Sequence, residues 1–492
     1  MNWLLAAVSA VLLILAFPRF DLAWLAPVAL APLLLALARE PRWPKRFLLG
    51  WAGGAIYWGG VCYWIQFVLQ VHGGMGPYGS WGAFALFAIL KGLHMALFAV
   101  LAGPLLHCSF AIPAAAAIWT GLERTHGTFG FAWLTLGDAG IETEALARLA
   151  PYAGVYALSF ALAMINAAVA ILLLRRPRRE LAWLLALPPV YLLPPLPPPS
   201  PAEESAAVVQ ANVEAERAWN AVTERRFHKR MASLSLQAAL APDQPGPAFL
   251  LWPELPAPLY YESDARLREI IADVTRAAAA PLLFGAVAFT PGDAPLNSAF
   301  LVDPAGKLVD RYDKIYLVPF GEFVPPVFSF VNRITQEAGD FVSGTRVVVF
   351  PVDGHRVGAF ICYESVFPHL VRRFAASGAE VLVNLSNDGY FGRSAARGQH
   401  LKIVRMRALE NRRWVLRATN DGITAAIDPA GRLVRQLAPH QETAARLEFS
   451  YRRDLTPYTR HGDWFAWSCL AAGAAAAAAA AIRGGSQARR RP

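Results

Sequence analysis

One stretch of the sequence combines an apolar run with a cysteine: Arg356-Val-Gly-Ala-Phe-Ile-Cys-Tyr-Glu-Ser-Val-Phe367. Its apolar run ends at Cys362, and a helical pattern starts near Val366 or Pro368, which predicts a short buried strand followed by a helix. A thiol facing a helix N-terminus can have its pKa lowered from about 8.5 to below about 7.5, and the thiolate is the nucleophilic form. Cys362 is therefore a candidate nucleophile, although a lone cysteine in a strand is also typical of a buried structural residue.

The composition indicates a protein that lies partly in lipid. Of its 492 residues, 55% are hydrophobic and 17% are charged, whereas soluble proteins carry roughly 25% charged residues. The net charge is +10, but the basic residues cluster beside apolar runs, which favours membrane flanks over a nucleic-acid surface. The clusters are Arg39, Arg42, Lys45 and Arg46; Arg175, Arg176, Arg178 and Arg179; and Arg483, Arg489, Arg490 and Arg491.

Eight apolar runs are candidates for membrane-spanning helices, since a span needs about 20 mostly apolar residues. They are 2–17, 22–38, 47–70, 81–107, 109–126, 152–174, 181–196 and 464–482. If the N-terminus is cytoplasmic, helices 2, 6 and 8 return to the cytoplasm at the three basic clusters, as the positive-inside rule expects.

This topology predicts three regions. Residues 1–199 hold transmembrane helices 1–7, residues 200–460 form a domain on the opposite side, and residues 461–492 hold helix 8 and a cytoplasmic basic tail. In a bacterium the chain would lie in the inner membrane with that domain in the periplasm, where no ATP is available. The proline-rich run Pro194-Pro-Leu-Pro-Pro-Pro-Ser-Pro201 is typical of a stiff linker between helices and domain.

Residues 205–450 alternate between strand-like and helix-like patterns, which predicts an α/β domain of layered sheets covered by helices. Cys362 is the one cysteine in this region, so an internal disulfide is impossible there and the thiol is notable. The other three cysteines lie in or beside apolar runs: Cys62, Cys108 and Cys469. No metal-ligand spacing such as CxxC or HExxH occurs, and we expect neither a metal nor another cofactor.

Three strand ends carry residues that are capable of chemistry: Glu254, Lys314 and Cys362. Acyl transfer through a cysteine needs a base for the thiol, a donor for the oxyanion and the thiol itself. Taken singly, Glu254 is also compatible with an exposed acid at a strand end, and Lys314 with a solvated loop lysine.

Together the three motifs resemble the Glu–Lys–Cys set of the nitrilase superfamily. They are Leu251-Trp-Pro-Glu254, Tyr312-Asp-Lys-Ile-Tyr-Leu-Val-Pro-Phe-Gly-Glu322 and Ile361-Cys-Tyr-Glu364. With seven helices before the domain and one after it, the whole chain resembles the bacterial apolipoprotein N-acyltransferases, which complete lipoprotein maturation. The resemblance implies an eight-helix transmembrane bundle with a periplasmic nitrilase-like α-β-β-α sandwich.

The resemblance also implies a reaction. Glu254 would be the general base, Lys314 would stabilise the oxyanion, and Cys362 would carry a fatty acyl chain as a thioester. The chain would come from a phospholipid and pass, in ping-pong fashion, to the α-amino group of the N-terminal diacylglyceryl-cysteine of a lipoprotein. We expect the enzyme to act as a monomer.

Supporting positions follow from the same resemblance. Glu322 would orient Lys314 or Glu254, and Tyr363 and Glu364 would shape the pocket. Trp219, after Gln210-Ala-Asn-Val213, would lie near the acyl site, with plain core packing as the alternative. Two further segments would be scaffold and pocket wall: Asn297-Ser298 and Asn384-Leu-Ser-Asn-Asp388.

The apolar, proline-rich run Phe323–Phe330, within Glu322–Val342, predicts a mobile flap that dips toward the bilayer and admits acyl chains.

Three other readings remain open. A membrane-tethered nitrilase-like amidase would use the same three residues with water as the acceptor. A non-catalytic membrane scaffold would tolerate the loss of Cys362. A Cys–His mechanism would use His355, His369 or His400. The Glu–Lys–Cys interpretation expects the His369→Ala variant to keep its activity.

Overall fold

The computed structural model describes residues 1–128, 131–199, 201–213, 219–242, 244–319, 321–323 and 341–488, with side chains up to residue 482. The chain divides into two compact units. The first comprises Met1–Phe67, Gly76–Leu196 and His461–Pro492, and the second comprises Val68–Met75 and Pro197–Arg460. Most of the predicted flap, residues 324–340, lies outside the described residues.

Sixteen α-helices occur in the described part of the chain. They are α1 (Asn2–Leu15), α2 (Ala26–Ala29), α3 (Ala31–Arg39), α4 (Trp43–Val61), α5 (Ile65–Val71), α6 (Pro77–Leu105), α7 (Ala111–Arg124), α8 (Glu144–Ala147), α9 (Ala150–Ala153), α10 (Val155–Leu173), α11 (Ala221–Ala239), α12 (Ala265–Ala278), α13 (Pro368–Ala376), α14 (Ala396–Asn411), α15 (Pro457–His461) and α16 (Trp464–Ala488).

Three of the described helices are long and apolar enough to cross a membrane by length and composition: α6, α10 and residues Trp464–Ile482 of α16. Two shorter stretches, Asn2–Leu15 and Ala23–Arg39, are apolar as well. In the first unit, Asn166 of α10 ties helices together, because its side-chain oxygen accepts hydrogen bonds from the backbone N–H groups of Leu30 (2.7 Å) and Ala31 (3.0 Å).

Two predicted helices differ from the structure. The run 47–70 is divided, since α4 ends at Val61 and α5 begins at Ile65. The run 181–196 is not α-helical but forms 3₁₀ turns over Arg178–Ala186 and Pro188–Leu192. Its prolines lack the backbone N–H that an α-helix needs, which explains why the prediction of an α-helix there is wrong.

The second unit contains twelve strands in two sheets. They are β1 (Glu204–Gln210), β2 (Phe249–Leu251), β3 (Leu282–Phe289), β4 (Pro295–Val302), β5 (Leu308–Asp313), β6 (Val349–Val352), β7 (His355–Ile361), β8 (Val381–Ser386), β9 (Val415–Thr419), β10 (Ala425–Ile427), β11 (Leu433–Gln436) and β12 (Thr443–Phe449). The sheet orders are β12-β1-β2-β3-β4-β5 and β11-β10-β9-β8-β7-β6.

The two sheets face each other and each is covered by helices. Helices α11 and α12 lie on the first sheet, and α13 and α14 lie on the second, while β1 contacts β9 and β4 contacts β7 across the interface. A buried hydrogen bond links α11 to the residue that follows β2, since Trp252 donates from Nε1 to Ser235 Oγ at 2.8 Å. The predicted layered α/β domain is therefore confirmed.

Candidate active site

Four strands end at one place in the second unit. Strand β2 stops three residues before Glu254, β5 stops immediately before Lys314, β7 immediately before Cys362, and β8 immediately before Asn387. The sheets position these groups, because a strand end in a sheet is held more rigidly than a surface loop. The three residues singled out from the sequence are thereby brought together.

Lys314 is the cation of the site. Its Nζ atom lies 2.9 Å from Oε1 of Glu254 and 2.9 Å from Oε1 of Glu322. Lys314 is 1% exposed and Glu254 is 4% exposed, so the alternatives of a solvated loop lysine and an exposed strand-end acid are both wrong. Burial alone would lower the pKa of Lys314, but the carboxylates of Glu254 and Glu322 outweigh it and raise that pKa well above its usual value, which keeps the ammonium charged.

Asn297 joins the two carboxylates. Its side-chain Nδ2 donates to Oε1 of Glu254 at 2.9 Å and to Oε1 of Glu322 at 2.6 Å. The second oxygen of each carboxylate accepts from a backbone N–H, that of Asn387 for Glu254 (2.9 Å) and that of Val318 for Glu322 (2.8 Å). Each carboxylate is thus held in one orientation, and Glu322 is positioned beside Lys314.

Cys362 lies in a strained turn. Its φ is +48°, in the left-handed region, where a residue with a side chain is less stable by roughly 1–2 kcal/mol. A 3₁₀ turn, Cys362–Val366, separates it from α13, which begins at Pro368 as predicted. The turn places the thiol directly after β7, and backbone strain of this kind is often found at functional sites.

The expectation of a lowered Cys362 pKa is wrong. Burial raises the pKa of the thiol well above its usual value, the carboxylate of Glu254 raises it further, and the opposing effect of Lys314 is smaller. The intervening 3₁₀ turn also means that α13 does not begin at the thiol. The resting thiol of Cys362 is consequently neutral, and it would need a base to act as a nucleophile.

Glu364 fastens the cysteine turn to the lysine segment. Its Oε1 accepts from the hydroxyl of Tyr312 at 2.6 Å and from the backbone N–H of Ile315 at 2.7 Å, while Oε2 accepts from the N–H of Ile361 at 2.7 Å. Burial raises the pKa of Glu364 to about 7, against the effect of these donors. These contacts link the turn that carries Cys362 to the segment that carries Lys314, and the function of Glu364 in shaping the pocket stays a prediction.

A buried charged cluster lies behind the nucleophile. Arg417 Nη2 lies 2.8 Å from both carboxylate oxygens of Asp388. The Nε2 atom of His400 lies 3.1 Å from the carbonyl oxygen of Cys362, and because a carbonyl only accepts, Nε2 carries the proton. Burial tends to raise the pKa of Asp388, but Arg417 and His400 outweigh it and leave that pKa well below its usual value. The sequence motifs included Asp388 but gave no indication of Arg417, because an arginine inside a strand has no local pattern that marks its burial.

The remaining predicted residues lie around this centre. Tyr363 is buried with its ring edge-on to Phe367 at 5.3 Å. Trp219 packs edge-on to Phe227 at 5.5 Å, against the core of the first sheet, so the structure does not bring it into the hydrogen-bonded network and supports the core-packing alternative.

The three histidines of the Cys–His reading bond to other groups. His355 Nδ1 lies 2.8 Å from Glu380, His369 Nε2 lies 2.9 Å from the hydroxyl of Tyr316, and His400 contacts the carbonyl group of Cys362. The geometry favours Glu254 over any of them as the base.

Comparison with known proteins agrees with this arrangement. The family model "Carbon-nitrogen hydrolase" matches residues 205–451, and the model "Apolipoprotein N-acyltransferase N-terminal domain" matches residues 9–168. The apolipoprotein N-acyltransferase of Geobacter metallireducens is 35% identical over 500 residues, which cover 96% of this chain and 94% of that protein. The chain belongs to the apolipoprotein N-acyltransferase family. It is accordingly a membrane enzyme and an acyltransferase, with a nitrilase-like α/β domain.

Other members of the apolipoprotein N-acyltransferase family match over nearly the same length. That of Azotobacter vinelandii is 34% identical, over 94% of this chain and 92% of its own. Among solved structures, an amidase from Nesterenkonia sp. aligns with a TM-score of 0.40 and 18% identity, over 54% of this chain and 94% of the amidase.

Proposed function

We propose that this apolipoprotein N-acyltransferase moves a fatty acyl chain from a phospholipid, through a thioester on Cys362, to the α-amino group of a lipoprotein's N-terminal diacylglyceryl-cysteine. Glu254 is the general base, Lys314 the oxyanion donor and Cys362 the nucleophile. The observation that carries the assignment is the buried Lys314–Glu254–Glu322 network beside a neutral thiol in a left-handed turn.

The hydrogen bonds of Glu254 support its function as the base. A carboxylate has about four acceptor positions. Oε1 uses two of them for Lys314 and Asn297, and Oε2 uses one for the N–H of Asn387. One position on Oε2 is left by these three bonds, and we assign it to the proton of the Cys362 thiol.

The first half-reaction forms the thioester. The Cys362 sulfur attacks the ester carbonyl of the phospholipid while Glu254 takes the thiol proton. Lys314 stabilises the oxyanion of the tetrahedral intermediate together with a backbone N–H near Cys362. When the intermediate collapses, the ester C–O bond breaks and the proton on Glu254 passes to the departing alkoxide, which leaves as lysophospholipid.

The second half-reaction forms the amide. The α-amine of the acceptor attacks the thioester, Glu254 takes an amine proton, and collapse of the intermediate breaks the C–S bond. The proton then returns to the thiolate, so the enzyme is restored. An ester and an amine become an alcohol and an amide, which runs downhill without a nucleotide.

Acyl transfer is favoured over the amidase alternative by the first unit. The match to the N-acyltransferase N-terminal domain covers residues 9–168, which an amidase for a soluble substrate does not need. Glu322 positions Lys314, and Glu364 and Tyr363 support the turn that carries the nucleophile.

The membrane arrangement is part of the proposal. Residues 1–199 carry seven crossings, residues 200–460 form the periplasmic catalytic domain, and residues 461–492 carry the eighth crossing and a cytoplasmic basic tail of an inner-membrane monomer. The predicted seventh crossing, 181–196, is compatible with the 3₁₀ turns, because the residues up to Leu192 rise about 2.0 Å each and the proline-rich residues after them about 3.1 Å each, together roughly the thickness of the hydrocarbon core.

Intact-protein mass spectrometry tests the chemistry. Purified enzyme is incubated with a phospholipid that carries an isotope-labelled acyl chain, and the adduct is mapped by peptide sequencing. We expect one labelled acyl group on Cys362, discharged by a diacylglyceryl-cysteine peptide and retained in buffer alone. Discharge by water at the same rate would favour the amidase, and absence of an adduct would exclude the thioester mechanism. Cys362→Ala is the matched control, since it retains Cys62, Cys108 and Cys469.

The topology has its own test. A reporter that is active only in the periplasm is inserted at the exposed turn near Asp293 or fused after Pro492. We expect activity from the first fusion and none from the second, and the reverse pattern would contradict the proposed orientation.

A further inference from the structure

Glu224, His228 and Asp264 form a cluster of possible metal ligands that includes none of the residues of the catalytic motifs. Glu224 and His228 are four residues apart on α11, so both side chains project from one face of that helix. Asp264 is the N-cap residue of α12. One ligand atom from each side chain lies within 4.8 Å of those of the other two.

The imidazole of His228 provides independent support for a ligand. His228 is 2% exposed, and its Nδ1 is buried with no hydrogen-bond partner. Within the described part of the chain, no hydrogen bond joins it to Glu224 or Asp264. A buried polar atom without a partner costs roughly 1–3 kcal/mol, so an ion between the three side chains would remove that cost.

The charge state of the cluster suits a divalent cation. Two carboxylates balance the two positive charges of the ion. Glu224 and Asp264 are only partly buried, which leaves a path for the ion to enter.

We propose that Glu224, His228 and Asp264 bind a Zn²⁺ ion, with water as the fourth ligand. One imidazole nitrogen and two carboxylate oxygens are ligands that zinc accepts at about 2.0–2.2 Å, which places neighbouring ligand atoms about 3.3 Å apart in a tetrahedron. Glu224 has a long side chain that can close the remaining gap by rotamer changes. Asp264 uses Oδ1 to cap α12, accepting from Arg266 N at 2.9 Å and Leu267 N at 3.0 Å, so Oδ2 is the oxygen assigned to the metal.

The site would join α11 to the start of α12. Phe227, the residue before His228, packs on Trp219, so the ion would also fix the segment that leads into α11. The ion has no part in the acyl-transfer chemistry, and the proposal is independent of the assignments of Glu254, Lys314 and Cys362. Sequence patterns did not reveal it, because the ligands are one i,i+4 pair and one distant helix cap.

Metal titration of the full-length protein tests the site. Protein purified without a histidine tag is stripped with a chelator and titrated with Zn²⁺ by calorimetry, and Co²⁺ replaces Zn²⁺ for visible spectroscopy. We expect one saturable Zn²⁺ site, an intense Co²⁺ absorption typical of tetrahedral coordination, and a higher thermal midpoint with Zn²⁺. Wild-type binding no tighter than that of the variants below would overturn the proposal.

The variants separate loss of the site from loss of the fold. Asp264→Asn keeps an N-cap that is as good as Asp but removes the charged ligand, so we expect it to fold normally and lose the saturable Zn²⁺ binding. His228→Ala should lose it too, and if that variant fails to fold, Asp264→Asn decides the question. Glu269→Gln, an exposed carboxylate on α12, is the matched control and should keep the binding. Equal binding by Asp264→Asn and Glu269→Gln would contradict the assignment.

Discussion

The Nζ atom of Lys314 lies 2.9 Å from Oε1 of Glu254, and both side chains are at most 5% exposed. A buried pair at this distance is stable only as a pair, because either charge alone would remain without compensation in a medium of low dielectric constant. With Glu322 on the same ammonium, the cluster contains two negative charges and one positive charge. The excess negative charge disfavours a thiolate at Cys362. In the proposed reaction the carboxylate of Glu254 accepts the thiol proton.

Replacement of the lysine should affect activity and stability together. In the Lys314→Met variant the two carboxylates remain buried without their cation, which we expect to cost about 3–5 kcal/mol of folding free energy. Loss of an oxyanion donor should slow acyl-enzyme formation by about 10²- to 10³-fold or more. Thermal unfolding and adduct mass spectrometry measure the two effects. Lys307→Met, at an exposed turn between β4 and β5, is the control, and equal behaviour of the two variants would argue against the buried network.

The Glu254→Gln variant should change the alkylation rate of the Cys362 thiol and the rate of acyl transfer in opposite directions. Because burial and the Glu254 carboxylate raise the pKa of Cys362, wild-type alkylation by iodoacetamide should be slow at pH 7 and should still increase above pH 9. Glu254→Gln removes the negative charge, so the thiol pKa should fall and alkylation at pH 8 should become faster. Enzymatic acylation should nevertheless fall by about 10²- to 10⁴-fold, since the general base is lost.

Peptide mapping measures the rates of alkylation and of acylation at Cys362 in wild type and in Glu254→Gln. An unchanged or slower alkylation of Glu254→Gln would show that the carboxylate does not raise the thiol pKa.

A glycine behind the base offers a steric test. A Cβ atom at Gly285 would lie 2.8 Å from Glu254 Cα and 2.9 Å from Leu255 N. These are backbone atoms, so they cannot rotate away as a side chain would, and Gly285→Ala should displace Glu254 and reduce acylation by at least about tenfold. A Cβ at Gly246 meets nothing within 4 Å, so Gly246→Ala should keep full activity, and the two variants should differ clearly in a single-turnover assay.

The charged cluster behind the nucleophile should show itself in the pH dependence of stability. The pKa of Asp388 is lower in the folded protein than in the unfolded chain, so its contribution to stability is present above about pH 4 and is lost as the pH falls toward the folded value. Asp388→Asn leaves Arg417 buried without a counter-charge, which should cost about 3–5 kcal/mol.

Thermal unfolding at several pH values checks this expectation. The difference in thermal midpoint between wild type and Asp388→Asn should stay constant from pH 8 to pH 5 and become smaller below about pH 4. A difference that already decreases between pH 8 and pH 6 would assign the effect to another group, such as His400.

The residues that we propose as catalytic could be singled out from sequence because they occur in short motifs at strand ends. Glu254, Lys314 and Cys362 each follow a strand, and the described strands converge on one place. Strand β3, Leu282–Phe289, is an almost uninterrupted apolar run, so its sequence indicates a buried strand. Strands β5 and β12 are harder to recognise from sequence, because Leu308–Asp313 and Thr443–Phe449 mix charged and apolar residues and are partly exposed.

The electrostatics of the site could not be predicted in the same way. The sign of the Cys362 pKa shift depends on the depth of burial and on which carboxylate is nearest, and neither follows from the order of residues. The bridging amide of Asn297 and the pairing of Arg417 with Asp388 join positions far apart in the chain. Such contacts are fixed by tertiary packing, so local patterns do not contain them.

Strand β12 pairs along the whole of β1, from Glu204 opposite Phe449 to Gln210 opposite Thr443. One edge of β1 therefore stays unpaired during synthesis until residues 443–449 have been made. A bare strand edge is a template for pairing with other chains, so a product of premature termination before Thr443 would be prone to aggregation and a target for proteases.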